Sequence, residues 1–372
     1  MIGTSLRAAF LGLAAMAALP PSPALAISGG HPATGREFGF VRLLKIQWPG
    51  GEGGICTGSL ISDRLVLTAA HCVMTVKGEP AVGMDVVRKP SDTKGIPASS
   101  FFIHSGYRQQ SGQGVMYYTV NDLAILVLRD RADGPYAQTP GDYLWNTRGR
   151  VEIDPNASLT APKPPSSEPN ASLASAAASL DPKAAFLGRL GPDDARKMMD
   201  QVLLRDESGR PYAVQIGFGR FACDRRSGEC QSVPSKPKYI QKYIFNYRTD
   251  QSLVTSWCDP APFSFFAKAD NLICSNDNAE TTRSPTEHGP NGIYGAQPGD
   301  SGGPAVAFDK DNRAFIIGTM SYGSATLAVN MNLVEHMDFL GDVEKGSGPR
   351  LKSYPLKLPQ VRLRSSAGLA PQ

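Results

Sequence analysis

Three short segments of the 372-residue chain hold the side-chain types from which acyl-transfer chemistry can be built. A serine hydroxyl is a weak nucleophile at neutral pH. It needs a histidine to take its proton, and a carboxylate to hold that histidine in one tautomer and stabilise its charge. Backbone N–H groups must then receive the oxyanion. Leu67-Thr68-Ala69-Ala70-His71-Cys72 offers the base. A lone histidine is commonly structural, but here small alanines let other elements approach and Cys72 can tie the segment down. Asn121-Asp122-Leu123-Ala124-Ile125-Leu126 puts a carboxylate at the mouth of an apolar strand; Asn and Asp are also ordinary turn residues. Gln297-Pro298-Gly299-Asp300-Ser301-Gly302-Gly303-Pro304 sets one serine among three glycines. Glycines permit unusual dihedrals and close backbone approach, as a backbone oxyanion site requires and as a plain tight turn also does.

Such groups need a frame, and the chain offers short apolar runs broken by glycine. Residues 40–46 predict a strand, and Leu60-Ile61 and Leu65-Val66-Leu67 predict two more, turned by Ser62-Asp63-Arg64. Residues 101–104 and 123–128 continue the series, the latter apolar throughout, as for a strand buried on both faces. Strand patterns resume at 212–219 and recur at 239–247, 271–274, 305–308 and 315–320. Pro192, followed by Asp193 and Asp194, predicts a helix start, with Ala195, Met198, Met199 and Val202 on one face. A closing helix is expected over 333–340. Two groups of short strands around a linker predict an all-β fold, a pair of barrels or sandwiches. The 38 glycines and 30 prolines favour the same turn-rich architecture.

The linker, about 150–190, is rich in Pro, Ala and Ser. It cannot bury enough apolar surface to offset its ordering entropy, so it reads as a disordered surface insertion. At the start, Arg7, the apolar run of residues 8–19 and Ala24-Leu25-Ala26 read as a secretory signal peptide over 1–26. That places the protein outside the cell or in a periplasm. The apolar run is short for a bilayer, so no membrane partner is expected once the signal is removed. An oxidising compartment suits the six cysteines. They fall as neighbours, Cys56 with Cys72, Cys223 with Cys230 and Cys258 with Cys274, and proximity favours those pairs among the fifteen possible connectivities. No Cys-x-x-Cys occurs, and no metal or other cofactor is expected. The net charge is +4, of which Arg7 carries one; residues 344–372 carry +5, leaving −2 on 27–343. The basic stretch reads as a solvated, disordered tail, and nucleic acid is not an expected partner.

Taken together, Thr68-Ala69-Ala70-His71-Cys72, Asp122-Leu123-Ala124-Ile125-Leu126 and Gly299-Asp300-Ser301-Gly302-Gly303-Pro304 resemble the three signatures of the trypsin/chymotrypsin-like serine proteases, in that family's order. Ile27-Ser28-Gly29-Gly30, His104-Ser105-Gly106-Tyr107, Ile216-Gly217-Phe218-Gly219 and Ser321-Tyr322-Gly323 extend the likeness, which covers 27 to about 340 apart from the insertion. The resemblance implies a protease domain over 27–343. It would hold two six-stranded antiparallel barrels, about 27–130 and 212–335, with the active site between them and a short C-terminal helix. It also implies a secreted, monomeric serine endopeptidase acting on proteins or peptides. Ser301 would be the nucleophile, His71 the base and then acid, and Asp122 its orienter. The N–H groups of Gly299 and Ser301 would form the oxyanion hole. Ser321, Tyr322 and Gly323 would line the substrate cleft, with Ser321 supporting Asp122. Cys56–Cys72 and Cys258–Cys274 match family disulfides, whereas Cys223–Cys230 matches none. A freed Ile27 amine would pair with Asp300, and the expected signal cleavage after Ala26 would release it directly.

Gly295 stands where trypsin carries an acidic pocket floor, so the resemblance implies an uncharged pocket for apolar or small side chains. Two other readings compete. An α/β-hydrolase nucleophile elbow, with His336 and Asp309 as partners of Ser301, lacks a preceding strand–turn–helix alternation and leaves His71 unexplained. An inactive protease homologue serving as a binding module keeps the fold without the chemistry. His31, His288 and His336 read as surface residues and His104 as structural.

Overall fold

The computed structural model describes residues 30–34, 38–111, 117–147, 183, 187, 192–205, 211–219, 237–244, 272–276, 298–323 and 327–356. The expected signal, Ile27, Gly295, Cys223, Cys230, Cys258 and the end of the tail lie outside the described residues, as does most of the insertion.

The first half supplies strands β1 (His31–Pro32), β2 (Val41–Gln47), β3 (Gly53–Leu60), β4 (Leu65–Thr68), β5 (Gly83–Val87), β6 (Ile96–His104), β7 (Arg108–Ser111), β8 (Tyr117–Val120) and β9 (Ala124–Leu128). Helices α1 (Pro140–Thr147) and α2 (Pro192–Val202) follow. The second half holds β10 (Tyr212–Gly217), β11 (Lys238–Ile244), β12 (Leu272–Asn276), β13 (Pro304–Phe308), β14 (Ala314–Gly323) and β15 (Leu327–Asn332), then α3 (Met337–Lys345) and β16 (Leu351–Pro355).

Among the described residues all strand pairs are antiparallel. One sheet runs β16-β6-β5-β2-β3-β4-β9, and β6 also pairs with β9, which closes six of its strands into a barrel. The expected strand through 123–128 is the closing one, with Ala124, Ile125, Leu126 and Leu128 buried. The other large sheet runs β1-β11-β10-β13-β14-β15-β12, with β11 also paired to β12. Strands β7 and β8 form a hairpin of their own. Leu43, Leu44, Val66, Phe101 and Ile125 from the first sheet and Ile216, Val306, Ile316 and Val329 from the second belong to one buried apolar cluster. A smaller cluster joins Tyr143 and Leu144 of α1 and Ala195 and Met199 of α2 to Ala307, Phe315 and Ile317. Among the described residues no helix is long and apolar enough to cross a membrane.

Two expectations on the C-terminal side need correction. The closing helix is Met337–Lys345, four residues later than expected. The Asn332 side chain accepts the Val334 N–H at 3.1 Å, which favours a turn over residues 333–336. The stretch from 344 is not wholly a disordered tail. Leu351–Pro355 pairs with His104–Ser100, because β5 takes only Ile96 and Pro97 and leaves the rest of β6 to other partners. Tyr354 stacks on Phe101 at 5.1 Å between ring centroids, and Leu356 is buried.

Candidate active site

His71 stands in a 3₁₀ turn, Ala70–Cys72, directly after β4. Ala69 and Ala70 are fully buried, and their small side chains let the turn sink against the barrel. Cys72 is disulfide-bonded to Cys56 on β3, which fixes the far side of the turn. Cys274 is also disulfide-bonded.

The Asp122 carboxylate is fully buried and meets His71 twice. Oδ1 accepts the His71 backbone N–H at 2.8 Å, and Oδ2 accepts Nδ1–H at 2.7 Å. The Nδ1–H bond fixes the ring's tautomer and leaves Nε2 as the free acceptor on a side chain that is 20% exposed, while the backbone bond holds the residue in place. The Ser321 hydroxyl donates to the same Oδ2 and touches the Thr119 hydroxyl on β8. Burial opposes charge on both groups of the pair, but each favours the other's charged form. His71 is held above its ordinary 6.5, with Asp122's charge and hydrogen bond overcoming burial. Asp122 lies below its ordinary range, through His71 and the Ser321 hydroxyl, again against burial.

Ser301 sits on a glycine-built loop that docks on the first barrel. Its carbonyl accepts the Thr57 N–H at 2.8 Å, and Cys72 Sγ packs 3.6 Å from the same oxygen and 4.0 Å from His71 Nε2. Gly302 has φ 78°, and a Cβ there would fall 2.0 Å from Thr68 Oγ1, so only glycine fits. Gly299 has φ 104°. Among the described residues no acceptor meets the N–H of Gly299 or of Ser301. Asp300 is fully buried, and its Oδ1 accepts the Gly219 N–H at 2.6 Å. A Cβ on Gly217 would fall 2.0 Å from that carboxylate, which explains Gly-Phe-Gly over 217–219.

The structure thus gathers His71, Asp122, Ser321 and the Ser301 loop in one place. Tyr322 pairs with Val329 and Gly323 with Ala328 along β14 and β15. The α/β-hydrolase alternative fails here. Asp309 is taken up by Tyr143 and Arg313, and His336 by Asn332 and Asn121. His336, expected at the surface, is 4% exposed because the turn before α3 folds it inward. Among the described residues the one group with metal-ligand spacing is Cys56, His71 and Cys72, whose sulfurs are locked in their disulfide.

Sequence reasoning missed Thr57. Fully buried, it donates its hydroxyl to Gly299 O at 2.8 Å and accepts the Phe218 N–H at 2.9 Å, besides its N–H bond to Ser301. Its only local signal is its place next to Cys56.

The trypsin family model matches residues 27–144. Melanization protease 1 of Drosophila melanogaster is 44% identical over 124 residues, covering 28% of this chain and 30% of that protein. The CLIP domain-containing serine protease B4 of Anopheles gambiae is 37% identical over 65 residues, 16% of this chain and 18% of the relative. Lectizyme of Glossina austeni is 36% identical over 77 residues, 21% of this chain and 27% of the relative. The chain spans less than a third of the length of these curated relatives. Residues 27–144, which contain His71 and Asp122, are thus similar to the trypsin family, in line with the resemblance that the sequence motifs carry.

Proposed function

We propose that the protein is a secreted serine endopeptidase that hydrolyses peptide bonds through an acyl-enzyme. The observation that carries the reading is the buried chain of bonds from Ser321 through Asp122 to His71 Nδ1, which leaves Nε2 as the free base beside the Ser301 loop. Nε2 takes the Ser301 hydroxyl proton as the oxygen attacks the substrate carbonyl. The N–H groups of Gly299 and Ser301, which lack acceptors among the described residues, donate to the resulting oxyanion. The imidazolium gives its proton to the leaving amine, and water then hydrolyses the ester by the same route. Asp122 stays ionised throughout.

In this reading the second sheet is a second six-strand barrel and the site lies between the two. Ser321, Tyr322 and Gly323 offer their backbone to the substrate as an added strand. The pocket at Gly295 is uncharged and takes apolar or small side chains. A freed Ile27 amine pairs with Asp300, a fully buried carboxylate that also accepts the Gly219 N–H. The Cys56–Cys72 disulfide supports secretion. Cleavage of a peptide library by the mature protein tests activity and specificity together. Ser301-dependent cuts after uncharged residues are expected. No cutting, or equal cutting by Ser301→Ala, would overturn the reading.

A further inference from the structure

The turn that carries Asp122 is tied to the far half of the chain by a side chain that the proposed chemistry does not use. Asn121, directly before Asp122, has φ 51°, a left-handed conformation that Asn tolerates better than most residues. The backbone beyond it is pinned: Leu123 N–H donates to Asn121 O at 2.8 Å, and Leu123 O accepts the His104 N–H at 3.0 Å. The Asn121 amide lies between two groups. Nδ2 donates to Gly106 O at 3.2 Å, and Oδ1 lies 3.1 Å from Nε2 of His336.

His336 is itself held firmly. Its Nδ1 lies 2.7 Å from Asn332 O, and a carbonyl only accepts, so Nδ1 carries the hydrogen. Asn332 ends β15 and His336 immediately precedes α3, so the ring is fixed by the second sheet and reaches back to the first. His104 on β6 meets it edge-on, with ring centroids 5.5 Å apart. Asp338 on α3 and Arg350, just before β16, face it as an ion pair of 2.6 Å. Burial and Arg350 together outweigh the Asn332 bond and Asp338, and keep the ring below its ordinary pKa. His104 accepts the Gly106 N–H on Nδ1 and is pushed down to about 4, by burial first and then by His336 and Arg350. With the His336 ring neutral, Nε2 accepts the amide's NH2, since the two ends of an amide share one outline. With the ring charged, Nε2–H donates to the amide oxygen. The ring holds Asn121 in both states; only the bond to Gly106 O depends on the proton.

We propose that His336 is a positioning residue: by holding Asn121, it fixes the left-handed turn that aims the Asp122 carboxylate at His71. The inference rests on the triad reading above, but its main test does not need turnover. The His71 ring is titrated by NMR in the full chain, as wild type, His336→Phe, His336→Gln and Asn121→Gly. The wild-type midpoint should lie above 6.5. His336→Phe should lower it by about 0.5–1 unit, a part of the 1–3 units that a close opposite charge contributes. His336→Gln, whose amide can serve both partners, should restore it. Asn121→Gly permits the left-handed turn but no longer ties it to the ring, which stays in place, so it tests the link even where His336→Phe does not fold; it should produce the same shift. The double variant should shift no further than either single one, because both break one link. A purely structural role would lower thermal stability and leave the His71 midpoint of the folded variants where it was; that result, or additive shifts, would overturn the proposal. With a cleavable substrate, kcat should fall with KM unchanged. If the wild type cleaves nothing, the triad reading fails while the titration still decides the role of His336.

Discussion

Thr57 makes three bonds to the second half of the chain: its hydroxyl donates to Gly299 O and its N–H to Ser301 O, which hold the Ser301 loop against the first barrel, and the hydroxyl accepts the Phe218 N–H. Thr57→Val keeps the shape and strips the hydroxyl, leaving Gly299 O and Phe218 N–H buried without it. Each such orphan costs about 1–3 kcal/mol. Thr57→Val should therefore lower the urea midpoint clearly and reduce kcat more than KM changes, while Thr57→Ser stays near wild type. Equal stability of the Val variant would show that the loop is held otherwise. His71, Asp122 and Ser301 were legible as candidates because the proposed chemistry restricts their type and their neighbours. Thr57 and His336 were not. Their partners lie 242 and 215 positions away in the chain, and no local pattern around either residue encodes such a contact.

At the scale of elements, apolar runs announced β2, β4 and β9, and Pro192 announced α2. Helix α1 went unread, although its start is a reciprocal cap. Thr139 Oγ1 accepts the Asp142 N–H at 3.2 Å, and Asp142 Oδ2 accepts the Thr139 N–H at 3.2 Å. Strand β16 was misread for a different reason. Its Pro, Ser and Lys content looks unfolded in isolation, and its stability comes from β6, roughly 250 residues earlier by register. Ending the chain after Lys345 should expose Phe101 and the β6 edge and remove the Tyr354 stack. The stack alone is worth about 0.5–1.5 kcal/mol beyond its area. The truncated protein should melt several degrees lower and aggregate more readily. Unchanged melting would mean that β16 is not integral to the barrel.

For the molecule as a whole, the two strand groups separated by a linker were enough to anticipate an all-β architecture, and one of the two large sheets closes into the expected six-stranded barrel. Unforeseen was how the halves are joined. A single apolar cluster draws on both sheets, and Thr57, Asn121 and the strap from α3 to β16 bind across them. Residue pattern reports which face of an element is apolar, not which other element will cover it. The most direct measurement is labelling by a fluorophosphonate as a function of pH, with the modified residue located by peptide mapping. The label should fall on Ser301. Its rate should rise with pH through a midpoint above 6.5, because His71 must be neutral to act as base and Asp122 holds its pKa up. His71→Ala should lose most of the rate. A wild type that stays unlabelled, or a label rate indifferent to His71, would contradict the account.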